Sequence, residues 1–425
     1  MLLHRFAKCG ICRGLAALQS SLLLAVAALG ANPCPTLDVP ASETVLHVAA
    51  LGPGPQAGVG PPCRLAEIGG PVQPVAGQWV MHISREGLPC GNGKLLLADI
   101  PAGGKSVPRR FRLEAAAAAP GSPQAFRFTD VDERSLKLLE GDRPVLVYNH
   151  GTITNLKVPA KDLRRSRSCY IHPLWGVNGE ILTDDFPADH YHHHGIFWTW
   201  PHVGIDGKQY DLWADNGIQQ RFVRWLYRET GPVAAVLGVE NGWFVGEKKV
   251  MTERVWLRVY RATKDERTID LDLAWIATDR PITLRGAEEK SYGGLTVRFA
   301  VAHERESVIT VPSGVAREDL PDTELPWADL TAKFAGAAGP SGAALFVPRS
   351  HPDYPPTWLT RHYGPLCIGW PGVRGKTFQP GEPIRLSYRL WIHGSTVSLA
   401  WLQDAYAAYL ETVKVRWEAA SKDAR

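Results

Sequence analysis

The sequence predicts an all-β protein: a large antiparallel β-sandwich with a small N-terminal β-domain and a C-terminal helix. Three observations carry this. Beyond residue 120 the dominant period is two, most plainly in "TIDLDLAWI", where Ile269, Leu271, Leu273 and Trp275 alternate with Asp270, Asp272 and Ala274, and again in "LTVRFAVA" from 295 and "IRLSYRLWIHG" from 384. Such runs, each with an apolar and a polar face and separated by Gly, Pro and Asp, suit antiparallel sheets packed on one core. Only one segment has a helical period, with Leu399, Leu402, Tyr406, Leu410, Val413 and Trp417 on one stripe.

The elements follow in chain order. Residues 1–31 read as an export signal, because Arg5, Lys8 and Arg13 precede the apolar run "LAALQSSLLLAVAALGA", which ends in small residues. A lipid anchor needs a small residue before Cys34, where Pro33 stands, so the expectation is a freely soluble exported protein, periplasmic or extracellular. Residues 32–120 form the small accessory β-domain, with "VLHVAAL", "QWVMHIS" and "RRFRLE" as strands between Gly- and Pro-rich turns. The seam is "EAAAAAPGSPQ", residues 114–124. Residues 121–397 make the sandwich that carries the site, and residues 398–425 the helix that packs on it.

Composition limits the function classes. Removing residues 1–31 takes away three basic residues and no acidic ones, so the formal charge falls from +4 to +1 and gives no argument for nucleic-acid binding. No later apolar run is long enough to span a bilayer. Five cysteines remain, Cys34, Cys63, Cys90, Cys169 and Cys367, with no CxxC spacing; two of the first three can pair in an oxidising compartment.

The chemistry concentrates in "DDFPADHYHHHG", residues 184–195, which holds four of the chain's fourteen histidines and three aspartates. If this run is extended, His190, His192 and His194 share one face, opposite Tyr191 and His193. Imidazoles so placed can hold a divalent metal such as zinc, manganese or iron, with Asp185 or Asp189 as an oxygen ligand; within the run, His190, His192 and His193 are the candidate ligands if a metal is bound. They can equally do acid–base work without a metal, since imidazole titrates near neutrality and a neighbouring carboxylate fixes its tautomer. The plain alternative is a solvated turn whose histidines bond backbone. The absence of any cysteine beside the run argues against a closed structural zinc site and favours proton transfer.

The surroundings favour a sugar ligand. "CYIHPLWGVNGE" contributes His172 ahead of the cluster, and Trp198, Trp200 and Trp213 follow it; aromatic faces stack on the C–H faces of pyranose rings. "GAEEKSYGGLTVRF" places Glu288, Glu289 and Lys290 before a Gly-Gly turn, and "PPTWLTRHYGPL" offers Arg361, His362 and Tyr363 to clamp an acidic or hydroxylated ligand. The expected catalytic set is His192 and His193 with Asp185, opposed by Glu289. The expected substrate contacts are His172, His190, Trp198, Trp200, Trp213, Arg361 and Tyr363.

Together "IHPLWGVNGEILTDDFPADHYHHHGIFWTW", "EEKSYGGLTVRF", "HPDYPPTWLTRHYG" and "PGEPIRLSYRLWIHG" resemble a family of exported bacterial proteins labelled PmoA-like, over about residues 125 to 410. That family often has arginine before the glycine, where this chain has His194. Its label implies a methane-oxygenase subunit, a multi-helix membrane protein, which the strand pattern here does not match. The closing "PGEPIRLSYRL" is also similar to the last strand of galactose-mutarotase-like supersandwich proteins, a resemblance that implies a sugar cleft on one sheet served by His and a carboxylate. The resulting expectation is a secreted carbohydrate-active enzyme of the glycoside hydrolase or lyase type. Its partner is a carbohydrate or glycoside, with no nucleic acid and no membrane span after signal removal. A mutarotase-like epimerase, a noncatalytic carbohydrate-binding protein and a metal-dependent oxygenase are the alternatives.

Overall fold

The structure is a computed structural model and describes residues 34–52, 62–104, 107–116 and 125–418. The expected export signal and the centre of the 114–124 seam lie outside the described residues. The fold is all-β. Two nine-stranded antiparallel sheets face each other across one apolar core. One, the site sheet, runs in the order Leu320–Glu324, Thr357–Thr360, Pro365–Gly369, Gly294–Arg298, Ile196–Thr199, Tyr170–Leu174, Arg143–Asn149, Ser135–Glu140 and Phe126–Asp132. The other, the back sheet, is built on four long strands, Gln219–Thr230, Ala234–Val245, Lys248–Tyr260 and Glu266–Ala277, and continues through Ile384–His393, Ser341–Phe346, Trp327–Ala332, Val308–Val311 and Gly314–Ala316. Leu295 and Val297 from the first sheet meet Leu257, Leu271 and Leu390 from the second in this core.

The alternation in "TIDLDLAWI" is real, but its polar face does not meet water. Asp270 and Asp272 are buried, because the N-terminal sheet and the C-terminal helix cover the back sheet. Their charges are matched there: Arg389 forks onto Asp270 at 2.6 and 3.0 Å, and Arg258 bonds Asp272 at 2.8 Å. Burial alone would raise these carboxyls, yet the guanidinium groups outweigh it and hold both low, Asp272 at about 2.

The N-terminal sheet has seven strands and its own core of Leu37, Leu65, Trp79, Phe111 and Leu113. It docks through Val80, Ile83 and Leu97 against Val236, Trp256 and Tyr260. Gln78 fastens the contact: its Oε1 accepts from the Val233 and Ala234 amides, and its Nε2 donates to the Ala234 carbonyl.

The helix spans Leu399–Glu411, capped by Ser398, whose hydroxyl accepts from the Trp401 amide. It lays Leu402, Ala405 and Tyr406 on Trp327, Phe346 and Trp391. The apolar stripe read through Val413 and Trp417 does not continue as helix. The chain leaves the helix after Glu411, Val413 is 76% exposed, and Trp417 pairs with Leu37 as a seventh strand of the N-terminal sheet. The five described cysteines are free thiols, so no two of Cys34, Cys63 and Cys90 are bridged. Among the described residues no helix is long and apolar enough to cross a membrane.

Candidate functional site

The aspartate-histidine segment is not extended; it folds back on itself. Asp185 bridges His194, the Phe186 amide donates to the His193 carbonyl, and two turns close through His190 N to Pro187 O and His193 N to His190 O. Gly195 ends the loop at a φ of +27°, where a Cβ would lie 2.0 Å from the Ile171 carbonyl oxygen, so only glycine fits. The expected two-face alternation therefore fails. His190, His192 and His193 gather on one side, while His194 turns inward and is 1% exposed. The His190 and His193 rings stack at 4.7 Å, and His192 stands edge-on to both.

These three histidines form one wall of a cavity of about 190 Å³ on the outer face of the site sheet. Strand alternation sets its floor. Phe197, Thr296 and Cys367 lie in register across three neighbouring strands; Thr296 and Cys367 line the cavity, while Phe197 packs beneath Trp213. The intervening residues point the other way, and Trp198 and Trp200 are wholly buried in the sandwich core. Those two were expected to hold sugar and instead serve packing. Trp213 is a true wall residue, held between Phe197 at 5.0 Å and Tyr292 at 4.8 Å. Arg361 and Tyr363 close the far side: Tyr363 stacks on His190 at 5.2 Å, and Arg361 bonds Asp319 at 3.0 Å.

Of the expected acids, neither lines the cavity. Asp185 lies beneath the loop, accepting from the Tyr170 hydroxyl and the His194 Nδ1, each at 2.8 Å. Glu289 is exposed, in a left-handed turn conformation at φ +59°, and points clear of the cavity that its neighbour Lys290 enters. His172 is also apart, its Nδ1 3.1 Å from the Thr183 hydroxyl. Lining residues to which the sequence reading gave no site role are Lys290, Tyr292, Thr296 and Cys367. All but Cys367 belong to the quoted "GAEEKSYGGLTVRF" stretch, and alternation along Gly294–Arg298 was the signal for Thr296.

Behind the wall lies Arg298, two residues along the same strand face as Thr296. Its Nη2 donates to both oxygens of Asp189 at 3.1 and 3.2 Å, and its guanidinium sits 4.8 Å from the Tyr363 ring centre. Asp189 Oδ2 also approaches His190 Nδ1 at 2.9 Å, but outside hydrogen-bonding geometry, so that nitrogen keeps no bonded partner. Burial would raise Asp189, yet His190 and Arg298 together hold it below the usual carboxylate range.

Burial dominates the imidazoles. It lowers His192 to about 4, assisted by His190 and Arg164, and drives His193 and His194 well below 6.5. All three are neutral at neutral pH. Desolvation likewise pushes Asp185 up to about 6 and raises both Tyr292 and Tyr363, keeping the phenols protonated. Among the described residues no group of three or more His, Cys, Asp or Glu side chains is arranged to hold a metal ion. The cavity can thus offer neutral nitrogen bases, phenolic proton donors and two cations. A larger open trough of about 930 Å³ lies further along the same strands, past Thr357 and Gly369, with no histidine in its described lining.

No curated protein matches the sequence. Among solved structures, the fold is similar to a glycosyl hydrolase family 38 protein from Enterococcus faecalis, with a TM-score of 0.42 and 9% identity over 92% of this chain. The chain spans about half of that protein, 48%. It is also similar to a GalM/aldose epimerase homologue from C. elegans, with a TM-score of 0.28 and 10% identity over 64% of this chain and 99% of that one. The sequence itself is more specific, for one family model matches residues 135–407, a span that takes in the back sheet, the site sheet but for its edge strand Phe126–Asp132, the histidine loop and every wall of the cavity: the chain belongs to the family of unknown function DUF6807.

Proposed function

We propose that the protein is a carbohydrate-active enzyme of the lyase type, which takes a proton from a sugar carbon with a neutral imidazole and expels a glycosidic oxygen. One observation carries this reading: the described cavity lining holds three histidines, two tyrosines, Lys290 and Arg361, and no carboxylate. Two-carboxylate glycoside hydrolysis needs an acid and a base facing each other across the sugar, and neither Asp185 nor Glu289 lines this cavity. Elimination needs a base, a cation beside the developing negative charge, and a proton donor for the leaving oxygen.

In the proposed step His192 or His193 accepts the proton from the carbon next to a carbonyl or carboxylate. The C–H electron pair becomes a C=C bond, the C–O bond to the leaving sugar breaks, and the departing oxygen takes a proton from the Tyr363 or Tyr292 hydroxyl. Solvent returns that proton to the tyrosine and removes the one on the imidazole. Trp213 supplies an apolar face for the ring. The export reading of residues 1–31 fits substrates met outside the cytoplasm.

The test is to incubate the protein with oligouronates and keto-glycosides and follow the ultraviolet absorbance of the unsaturated product. His192→Ala or His193→Ala should lower kcat by roughly a hundredfold or more at unchanged fold. Activity should survive EDTA and dialysis; loss on chelation, restored by zinc or manganese, would make these histidines metal ligands. Saturated products only would mean hydrolysis. Anomer exchange by polarimetry without cleavage would mean an epimerase. Binding without turnover, indifferent to His192→Ala, would mean a noncatalytic sugar-binding protein.

A further inference from the structure

We infer that the sugar this cavity takes carries a carboxylate, recognised by Lys290 and flanked by Arg361, with Arg298 behind the cavity wall. The inference rests on reading the cavity as a sugar site and names its substrate class. Charge balance is the first argument. Lys290 lines the cavity and has no ion-pair partner among the described residues, whereas Arg361 is already paired with Asp319. With His192 and His193 neutral and no carboxylate in the described lining, Lys290 leaves the cavity with an unmatched positive charge to offer a ligand.

The second argument is independent of Lys290. The Arg298 side chain is only 6% exposed and spends Nη2 on Asp189, but its Nε and Nη1 are buried with no hydrogen-bond partner. The Nδ1 atom of His193 is buried and without a hydrogen-bond partner as well. Buried polar groups left unmatched are costly unless a ligand or water completes them, and the Arg298 guanidinium lies against Tyr363, whose ring lines the cavity. A carboxylate is the better match than a phosphate: it brings one negative charge to one unmatched cation, whereas a phosphate monoester brings nearly two.

The test uses calorimetric titration of the intact protein with a galacturonate trimer, the same trimer methyl-esterified on its carboxyls, and galactose 6-phosphate. The free-acid trimer should bind at least tenfold more tightly than its ester, and the difference should shrink as salt is raised. Lys290→Gln lies in an exposed turn and should leave the melting temperature unchanged while weakening the free acid about tenfold and the ester hardly at all. Arg361→Gln is the second variant, with the same direction expected. Equal affinity for acid and ester, or a Lys290→Gln protein that binds the acid as well as the parent does, overturns the inference. Tighter binding of the sugar phosphate overturns it too and assigns the pocket to a dianion. The lyase reading fails separately: Lys290-dependent uronate binding without any unsaturated product keeps the carboxylate site and removes elimination, while elimination of a neutral keto-glycoside without uronate binding does the reverse.

Discussion

Glu253 is wholly buried in the back sheet, and its carboxylate is held entirely by neutral donors. Oε2 accepts from Gln220 Nε2, Trp243 Nε1 and Trp275 Nε1 at 2.8, 2.8 and 3.0 Å, and Oε1 accepts from Asn241 Nδ2 at 2.9 Å. Glu253→Ala removes four acceptor contacts and leaves four donors facing a void. At roughly 1–3 kcal/mol for each buried unsatisfied group, the loss is at least ~4 kcal/mol even after relaxation. A domain is typically stable by ~5–15 kcal/mol, so the variant should stand near the edge of folding. Glu253→Gln is a sharper probe. Its amide nitrogen must avoid the three donors at the Oε2 position and so take the Oε1 position, facing Asn241. Asn241 Oδ1 has no partner, and its Nδ2 also donates to the Tyr148 hydroxyl at 2.9 Å; flipping the Asn241 amide presents Oδ1 to the new NH₂ while Tyr148 reverses to donate. The expected cost is only ~1–3 kcal/mol, from the flipped Asn241 Nδ2 left without a partner where Oδ1 now lies. Urea unfolding followed by tryptophan fluorescence measures both. If Glu253→Ala loses less than about 2 kcal/mol at an unchanged urea dependence, or if Glu253→Gln is as damaging as Glu253→Ala, the hub argument is wrong.

Two further outcomes are expected. Stability should fall as pH drops below about 6.5: His192, held near 4, contributes above its unfolded value of 6.5 and loses up to ~3 kcal/mol on acidification, and His193 and His194 act in the same direction. Asp185, raised to about 6, opposes this, since its contribution is present below 3.8 and lost as pH rises through 6; urea midpoints that stay flat or rise from pH 7 to pH 5 would show that the imidazoles are not buried neutral. Trp198→Ala should cost ~3–5 kcal/mol of stability as a core deletion and Trp213→Ala, also buried, a comparable amount, while the milder Trp213→Phe should keep the fold and weaken ligand binding; titrations in which Trp213→Phe binds as the parent does would misplace the cavity wall.

The sandwich was legible because its strands obey their period: Leu271 and Leu273 are apolar and Asp270 and Asp272 polar wherever the second face ends up. What the alternation did not say is that this polar face is itself covered, since an aspartate paired with a buried arginine and one in water look alike in sequence. The helix was legible to Leu410 and lost afterwards, because Trp417 fits an apolar stripe and an edge-strand pair equally well. At the site, three of the four clustered histidines line one cavity, but assigning faces assumed an extended backbone. Two turns between Pro187 and His193 abolish that geometry and bring His193 beside His190. The acids were misjudged for a related reason. Asp185 is close to the histidines in sequence but serves His194 below them, and Glu289 is diverted by its left-handed φ.

Parity also explains how a polar cavity sits on a packed sandwich. On the strand Ile196–Thr199, Ile196 and Trp198 point into the core and Phe197 toward Trp213, so the site uses a face that the apolar interior does not need. The two sides still communicate through one buried chain. Gln220, bound to Glu253, accepts from Arg167 Nη2 at 2.6 Å, and Arg167 Nη1 donates to the Leu212 carbonyl and to Asp215, the residues that flank Trp213. Arg167 is only 2% exposed, so its charge cannot be relieved by water and its three acceptors are fixed by it. A tryptophan that must present one face to a ring needs a backbone that does not drift, and the turn carrying Trp213 is held from beneath by the same network that holds two core tryptophans. Damage at Glu253 should therefore reach the cavity through Gln220 and Arg167 before it reaches the histidine loop, which is anchored independently by Asp185 and Tyr170.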